Sequence, residues 1–366
     1  MFRRFHPWHL VLLSLAALGT GSATAQNGKP APAAKPVNEV SKSSASILGA
    51  NRPEEAVKAL ASLAQAAQFL DAANLNWTEQ RKCGTCHTNY PYLMTRRAVT
   101  GSDRSEAFAS IRTFFENRAL NWDKVKPTWD AEVISTAAAL AWDDQLAGKV
   151  GSLPAKAAWD RMWKTQKKDG GFEWLKCNWP PAEHDDYYGA IVAGMAVMVA
   201  PQSWKEEAKE PIAKVTEYLK SKTPDSLHHE LLRAWVLARM GSPLPEAETA
   251  KIVERLRAAA KTDGGWSLVS LGAWKRHNGE VNDLAKAEAD GYGTAIVVVA
   301  LEGLGDSGVA GAVDLAKGGR SWLAKHQRES GRWFTRSPSN DKHHYMTHAG
   351  TAWAAYVLSK PAPKGE

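Results

Sequence analysis

Apolar residues recur every three or four positions from Arg52 almost to the end of the chain, with little of the alternation that marks strands. This spacing places apolar side chains on one face of a helix, so it predicts helices throughout. The helices are predicted in pairs, because hairpins of roughly 40 to 60 residues recur along the chain. Six such hairpins cover about 53–99, 104–147, 154–200, 203–241, 244–305 and 308–360.

The two helices of a hairpin differ in character. The first helices, such as Ala208–Lys222 and Glu248–Lys261, carry charge on one side and are expected outside. The second helices are apolar nearly all round and are expected inside; they include Val133–Trp142, Tyr188–Val199, Leu231–Met240, Gly293–Leu304 and Gly350–Leu358. Six of each kind in alternation predict an all-α fold, a closed (α/α)6 toroid, with an open helical solenoid as the alternative.

The N-terminus has the features of an export signal. Arg3 and Arg4 precede an apolar run from His9 to Leu18, and a small-residue cleavage pattern ends at Ala25, so residues 1–25 are predicted to be a signal peptide. The run is too short to span a bilayer, and no later stretch reaches about 18 uninterrupted apolar residues. We therefore expect a periplasmic or secreted protein that is not an integral membrane protein.

Composition divides the remainder of the chain. Residues 26–51 are rich in Pro, Ala, Lys and Ser and predict a disordered linker, residues 52–361 the toroid, and residues 362–366 a short tail. The formal charge of +7 falls to about +3 once the charges of the signal peptide and linker are removed. The helical part therefore gives no indication of nucleic-acid binding.

Cys83, Cys86 and His87 form the pentapeptide Cys-Gly-Thr-Cys-His. Two thiols at this spacing can each bond a vinyl-derived carbon of a porphyrin, and the histidine that follows can bind the iron as proximal ligand. Covalent haem attachment takes place outside the bacterial cytoplasm, in agreement with the export signal. The motif predicts haem c at residues 83–87, at the start of the first inner helix. A thioredoxin-like thiol pair with an incidental histidine is the alternative.

The sixth iron ligand is left open by the sequence. Met94 is a candidate, but it lies seven residues beyond His87 on the same predicted helix and points nearly the same way, so we expect it in the core rather than on the iron. A closed ring would bring hairpin six beside hairpin one, which nominates His343, His344 and His348 as distal ligands. Two histidine ligands would favour electron transfer, whereas an open position would allow oxygen or peroxide chemistry.

Polar residues precede several of the predicted inner helices, whose N-termini would meet at one mouth of a toroid. This set comprises His184, Asp185, Asp186, Tyr187, Tyr188, His228, His229, Asp290, Tyr292 and Tyr345. One interpretation is a polar, redox-active pocket around the haem edge. The other is that these side chains cap helix starts.

The segment Gly319–Trp333 resembles the QW repeat of squalene-hopene and oxidosqualene cyclases, in which a Gly, an aromatic-Leu pair, a Gln and a Gly-x-Trp recur. Looser copies are Trp163–Gln166 with Asp169–Phe172, and Thr262–Trp266. The resemblance implies the α/α toroid that these cyclases share with the β subunits of protein prenyltransferases. It does not carry the cyclase reaction across, because this chain has no D-x-D-D motif.

Cys177 is left over once haem has taken two of the three cysteines. It is expected either as a buried, inert thiol or, by resemblance to the zinc set of protein prenyltransferases, as a zinc ligand with Asp185 or Asp186 and His344.

These features together predict an exported monohaem c-type protein that transfers electrons to a redox partner protein, coupled to a hydrophobic small molecule in the toroid cavity. A haem-dependent oxidoreductase acting on a terpenoid-like substrate is one alternative. A glycan- or lipid-binding protein, or a prenyltransferase-like zinc protein, is another.

Overall fold

The computed structural model describes residues 48–99, 101–102, 105–124 and 129–362. The predicted signal peptide, residues 26–47 of the predicted linker and residues 363–366 of the tail lie outside the described residues. Residues 48–51 are held by the helical unit: an Arg332 guanidinium N–H donates to the carbonyl of Leu48, and the Asn51 amide donates to the carbonyl of His344 at 3.0 Å. The last four residues of the predicted linker thus contact hairpin six.

The described residues form thirteen α-helices and no β-strand, which confirms the all-α prediction. The helices are α1 Leu63–Arg81, α2 Asn89–Thr95, α3 Glu106–Leu120, α4 Asp130–Leu146, α5 Leu153–Lys164, α6 Asp186–Val199, α7 Gln202–Glu207, α8 Lys209–Ser221, α9 Leu227–Arg239, α10 Glu246–Ala259, α11 Gly291–Gly305, α12 Ala312–Lys325 and α13 Met346–Ser359. None of the helices in this part of the chain is long and apolar enough to cross a membrane.

Six helices contact one another in cyclic order. The helix α2 packs on α4, α4 on α6, α6 on α9, α9 on α11, α11 on α13, and α13 again on α2. These helices are the predicted second helices, and their surfaces are buried nearly all round; α11, for example, is buried from Gly291 to Leu301. Each fully buried Val, Leu or Ile side chain stabilises the fold by roughly 1.5 to 3 kcal/mol, so this set forms the core.

The remaining long helices, α1, α3, α5, α8, α10 and α12, each bury a face against that core. Helix α8 buries Val215, Tyr218 and Leu219, Ile212 packs partly buried against the core, and most of its other side chains are polar or charged. The helix α10 similarly buries a stripe that contains Ile252, Val253 and Leu256. This one-sided burial follows from the amphipathic spacing of the first helices.

A common turn connects the two helices of hairpins three, five and six. In each, a backbone N–H donates to the carbonyl four residues later at 2.8 Å: Lys167 to Gly171, Lys261 to Gly265, and Arg328 to Arg332. The fourth residue of each turn is a glycine in the left-handed region: Gly170 at φ +90°, Gly264 at +88° and Gly331 at +92°. A Cβ on Gly331 would lie 2.5 Å from the carbonyl oxygen of Gln65 in α1, so only glycine permits the contact with the next outer helix. We call these the glycine turns.

The Gln of the best QW copy joins the last hairpin to the first helix. The Gln327 side-chain oxygen accepts from the Ser62 N–H at 2.5 Å, and its amide donates to the carbonyls of Ser62 at 3.0 Å and Gly331 at 2.8 Å. Ser62 is the N-cap of α1, since its hydroxyl accepts from the Gln65 N–H. Gln327 therefore gives the Ser62 N–H a partner at this helix start, and it adds a second donor to the Ser62 carbonyl, which also accepts from the Ala66 N–H.

Candidate functional site

The Cys-Gly-Thr-Cys-His pentapeptide lies in the loop between α1 and α2, which we call the CxxCH loop (residues 82–88). Helix α1 ends at Arg81, and its C-cap Lys82 takes a left-handed conformation with φ +54°. A side chain at Gly84 would meet the Phe115 ring at 2.8 Å, so the loop needs glycine there. His87 precedes α2 by two residues, so the prediction that His87 and Met94 share a helix is wrong. Met94 is 4% exposed and packs in the core, where it was expected.

The His87 ring is held on one edge and on its face. Its Nδ1 lies 2.9 Å from the Thr88 hydroxyl, the Tyr345 ring stacks on it at 5.1 Å and 13°, and the Trp77 ring meets it edge-on at 4.8 Å. The Nε2 atom has no hydrogen-bond partner among the described residues. Burial and the nearby His348 lower the pKa of His87 to about 3, so the imidazole is neutral at pH 7. A neutral ring with a free nitrogen is the form that binds a metal.

The two motif cysteines are free thiols. Burial raises the pKa of Cys86 well above its usual value, and the carboxylate of Glu183 raises it further. Burial, followed by the charge of Glu132, likewise raises the pKa of Cys83. A catalytic thiol pair needs a lowered pKa to supply the thiolate, so the environment disfavours the thioredoxin-like alternative.

The CxxCH loop suits haem c in its chemistry, because it supplies two free thiols and a neutral imidazole with one free nitrogen. A neighbouring polar group that has no hydrogen-bond partner lies beside it. That group is the Trp77 indole N–H, which is buried beside His87 and has no hydrogen-bond partner. Among the described residues, Cys83, Cys86 and His87 do not form a compact metal cluster. This spacing is consistent with attachment around a large ring rather than with a tetrahedral ion.

Cys86 faces a cavity between the inner helices that also touches Met94, Tyr188, Tyr292 and Trp353. Its volume is about 30 Å³, which is room for about one water molecule. In this conformation the cavity holds neither a porphyrin nor a hydrophobic small molecule of terpenoid size. The predicted cavity ligand is larger than this cavity and stays a prediction.

The three candidate distal histidines lie in different surroundings. The Nδ1 of His348 is 2.9 Å from the Thr88 hydroxyl, on the same edge of His87 as that hydroxyl and away from its free Nε2. An iron on Nε2 would lie across the ring, so this position argues against His348 as the distal ligand. His344 accepts from the Ser337 N–H at 3.1 Å. His343 is exposed and stacks on Tyr345 at 5.3 Å.

Two further groups of the predicted pocket residues meet near the cavity. His228 is fully buried, its Nε2 lies 3.0 Å from the Tyr292 hydroxyl, and its Nδ1 has no partner. Burial lowers the pKa of His228 well below its usual value. Its ring also lies 6.2 Å from that of Tyr188, which lines the cavity with Cys86. The second group comprises His184, Asp185 and His229, with the Nδ1 of His229 3.5 Å from an Asp185 oxygen.

Other predicted pocket residues have structural roles instead. Asp290 caps α11 by accepting from the N–H of Gly293 at 2.8 Å and from that of Leu268 at 2.6 Å. It borders a separate polar cleft of about 1030 Å³ between hairpins five and six. Asp186 pairs with Lys167 at 3.0 Å, and Tyr187 donates to the carbonyl of Leu219 at 2.7 Å. For these three residues the capping and packing interpretation is the better one.

Cys177 is exposed, so the expectation of a buried thiol is wrong. Its N–H donates to the carbonyl of Glu183 in an irregular loop that reaches solvent. The prenyltransferase-like zinc set is not formed either: within the described ranges, the compact His, Cys, Asp or Glu group is His184, Asp185 and Asp225, without Cys177 or His344.

Sequence reasoning missed Trp77, Thr88 and Asp225. Thr88 follows the motif directly and is the natural partner for the histidine Nδ1, so its position was a usable signal. Asp225 stands four residues before His229, a spacing that brings two side chains together at a helix start. Nothing in the sequence singles out Trp77.

No family model matches the chain, and no curated protein matches it. The resemblance to QW repeats therefore rests only on the sequence of this chain. The three segments that show it each form a glycine turn with the same backbone hydrogen bond. Because one fold hosts many chemistries, the function has to follow from the CxxCH loop and its neighbours.

Proposed function

We propose that this protein is an exported monohaem c-type electron-transfer protein, with haem c bonded to Cys83 and Cys86 and the iron on His87. The observation that carries the proposal is the setting of His87, whose ring is neutral, packed on Tyr345 and Trp77, and left with a free Nε2. Haem c, when bound, supplies a one-electron couple at its iron.

The Thr88 hydroxyl sets the tautomer of His87. A histidine that binds metal through Nε2 carries its hydrogen on Nδ1, and here that N–H donates to the Thr88 oxygen at 2.9 Å. The Thr88 O–H in turn donates to the Nδ1 of His348, also at 2.9 Å. Each group thus uses one donor and one acceptor, and the chain of bonds makes His87 a stronger electron donor to the iron.

A stack of rings leads from His87 to the surface. Tyr345 is stacked on His87 and on His343 at 5.1 and 5.3 Å, and His343 is exposed. Trp179 meets His343 edge-on at 5.7 Å. These rings offer a docked redox partner protein a short contact with the proximal side of the site, which favours electron transfer over chemistry inside the protein.

The scaffold that we propose is the (α/α)6 toroid, with the CxxCH loop between the helices of hairpin one. Two observations support it: the cyclic order of contacts among the six inner helices, and the contact of each glycine turn with the next outer helix. The cavity of about 30 Å³ speaks against oxidation of a terpenoid-like substrate within such a ring.

The test is a haem stain on denaturing gels after expression with a cytochrome c maturation system. We expect covalent haem in the wild type and in Cys177→Ala, the matched cysteine control, and loss of most of the stain in Cys83→Ala and Cys86→Ala. His87→Ala should keep thioether-bound haem and change its spectrum. Undiminished stain in both motif-cysteine variants, with an unchanged spectrum in His87→Ala, would overturn the proposal.

A further inference from the structure

Two histidines and two aspartates meet where α6 and α9 begin, and we call them the His-Asp cluster: His184, Asp185, Asp225 and His229. The Nε2 of His184 lies 3.1 Å from one Asp225 oxygen, and the Nδ1 of His229 lies 3.2 Å from the other. The Nδ1 of His229 is also 3.5 Å from an Asp185 oxygen. One ligand atom each from His184, Asp185 and Asp225 lie within 4.8 Å of one another.

No lysine or arginine of the described chain pairs with the two carboxylates of the cluster. Their neighbour Asp186, by contrast, pairs with Lys167 at 3.0 Å and with Lys176 at 3.2 Å. The negative charge of Asp185 and Asp225 is therefore balanced only by what their histidines can carry. Such an unbalanced carboxylate pair attracts a cation.

His229 has the orientation of a metal ligand. The side chain is fully buried, and its Nε2 lies 3.3 Å from the carbonyl oxygen of Pro181, which can only accept. Nε2 therefore carries a hydrogen, and Nδ1 faces the oxygens of Asp225 and Asp185. Metal-bound histidines typically donate their other N–H to a carbonyl in this manner. If His229 were neutral and no cation were bound, its Nδ1 lone pair would face the oxygens of two carboxylates, which is an unfavourable arrangement.

We propose that the His-Asp cluster binds one divalent transition-metal ion, with Zn²⁺ as the best match. One imidazole nitrogen and two carboxylate oxygens, from His184, Asp185 and Asp225, lie close enough to share an ion, and the Nδ1 of His229 faces the same two carboxylates. Zinc accepts nitrogen and oxygen ligands of these kinds. The ion would tie the starts of α6 and α9 together beside Tyr188, whose N–H is capped by Asp185 at 3.0 Å. This site shares no residue with the CxxCH loop and does not depend on haem.

The test is a titration of the full-length, haem-loaded protein with Zn²⁺ alone, followed by calorimetry, after the free thiols have been alkylated. We expect one ion per chain, and a loss of affinity of at least about tenfold in Asp225→Asn and in Asp185→Asn. Asn retains the helix-capping ability of Asp185, so that variant removes the charge and leaves the cap. Asp186→Asn is the matched control and should bind zinc as the wild type does.

A wild type that binds no stoichiometric zinc would overturn the proposal. Equal zinc affinity in the wild type and in folded Asp225→Asn and Asp185→Asn would also overturn it, because the ion would then lie elsewhere. Circular dichroism checks that each variant is folded, and Zn²⁺ should raise the melting temperature of the wild type but not of these two variants. Haem stain in the same samples reports separately on the CxxCH loop.

Discussion

The CxxCH loop and the glycine turns occupy the same place in their hairpins, between the outer and the inner helix, and serve opposite purposes. In the glycine turns of hairpins three, five and six, a positive-φ glycine touches the next outer helix, and an aromatic side chain follows that is fully buried: Phe172, Trp266 or Trp333. In hairpin one the loop instead presents Cys83, Cys86 and His87.

The chemistry of the two regions explains the difference. A glycine turn has its polar groups satisfied within the turn or by the next helix, and so it contributes to stability. At the CxxCH loop the Nε2 of His87 has no partner among the described residues, and neither has the indole N–H of the adjacent Trp77 in α1. Unsatisfied groups cost stability, which a bound group can offset. One position of the repeat is thus used for chemistry and the others for packing.

The largest effect should come from filling a glycine turn. In Gly331→Ala, the new Cβ combines a left-handed φ of +92° with a contact at 2.5 Å to the backbone of α1. We expect a loss of about 2 to 4 kcal/mol in the free energy of unfolding, measured by urea denaturation. Gly308→Ala is the control, since its φ is +84° but nothing lies within 4 Å; it should cost about 1 kcal/mol. Equal losses in both variants would show that the helix contact is unimportant.

The next effect tests the link from the last hairpin to the first helix. Gln327→Ala removes three hydrogen bonds from a side chain that is 1% exposed and leaves the Ser62 N–H unpaired. We expect about 2 kcal/mol of destabilisation in the same urea experiment. Gln202→Ala is the control, because the exposed Gln202 amide donates only to Glu206. The stability of this variant should stay within about 0.5 kcal/mol of the wild type. Covalent haem should be retained in both.

Thr88→Val should move the redox properties and leave attachment intact. Loss of one hydrogen bond of about 1 kcal/mol weakens electron donation by His87, and for a one-electron couple this corresponds to an upward shift of the midpoint potential by roughly 40 mV. Spectroelectrochemistry measures the shift. Thr88→Ser keeps the hydroxyl and should restore the wild-type value. A midpoint potential that is the same in the wild type, Thr88→Val and Thr88→Ser would show that the Thr88 hydrogen bonds do not affect the iron.

The smallest effect concerns acid stability at the loop that follows the glycine turn of hairpin six. Hydrogen bonds from Arg336 and then Arg276 lower the pKa of Asp341 from 3.8 to about 2. Because the folded pKa is depressed, the stabilisation is present above about pH 4 and is lost as the pH falls towards 2. Both Asp341 and Arg336 are more than half exposed, so the difference between wild type and Asp341→Asn should stay below about 1 kcal/mol. Urea midpoints at pH 5 and pH 2 measure it.

Much of the fold was predictable because its signal is local. The apolar spacing predicted the inner helices, and the buried surfaces of α4, α6, α9, α11 and α13 confirm that interpretation. The position of Met94 in the core was also predicted from helix geometry, although His87 proved to lie before the helix.

The details of the site depend on contacts between distant segments. His348 contacts Thr88 although the two residues are 260 positions apart in sequence. This contact shows that His348 lies on the Nδ1 side of His87, and the sequence alone could not distinguish that position from one on the distal side of the iron. Asp225 meets His184 across 41 positions. The exposure of Cys177 depends on how one irregular loop folds back on Glu183, which spacing and composition do not determine.

The absorption spectrum of the protein, oxidised and reduced, with and without carbon monoxide, tests the electron-transfer assignment most directly. After expression with a cytochrome c maturation system, we predict a covalently bound, low-spin haem whose reduced spectrum ignores carbon monoxide, as a six-coordinate iron requires. A high-spin spectrum that shifts with carbon monoxide would contradict electron transfer as the role and indicate an open iron. The absence of any haem band would contradict the assignment of the CxxCH loop itself.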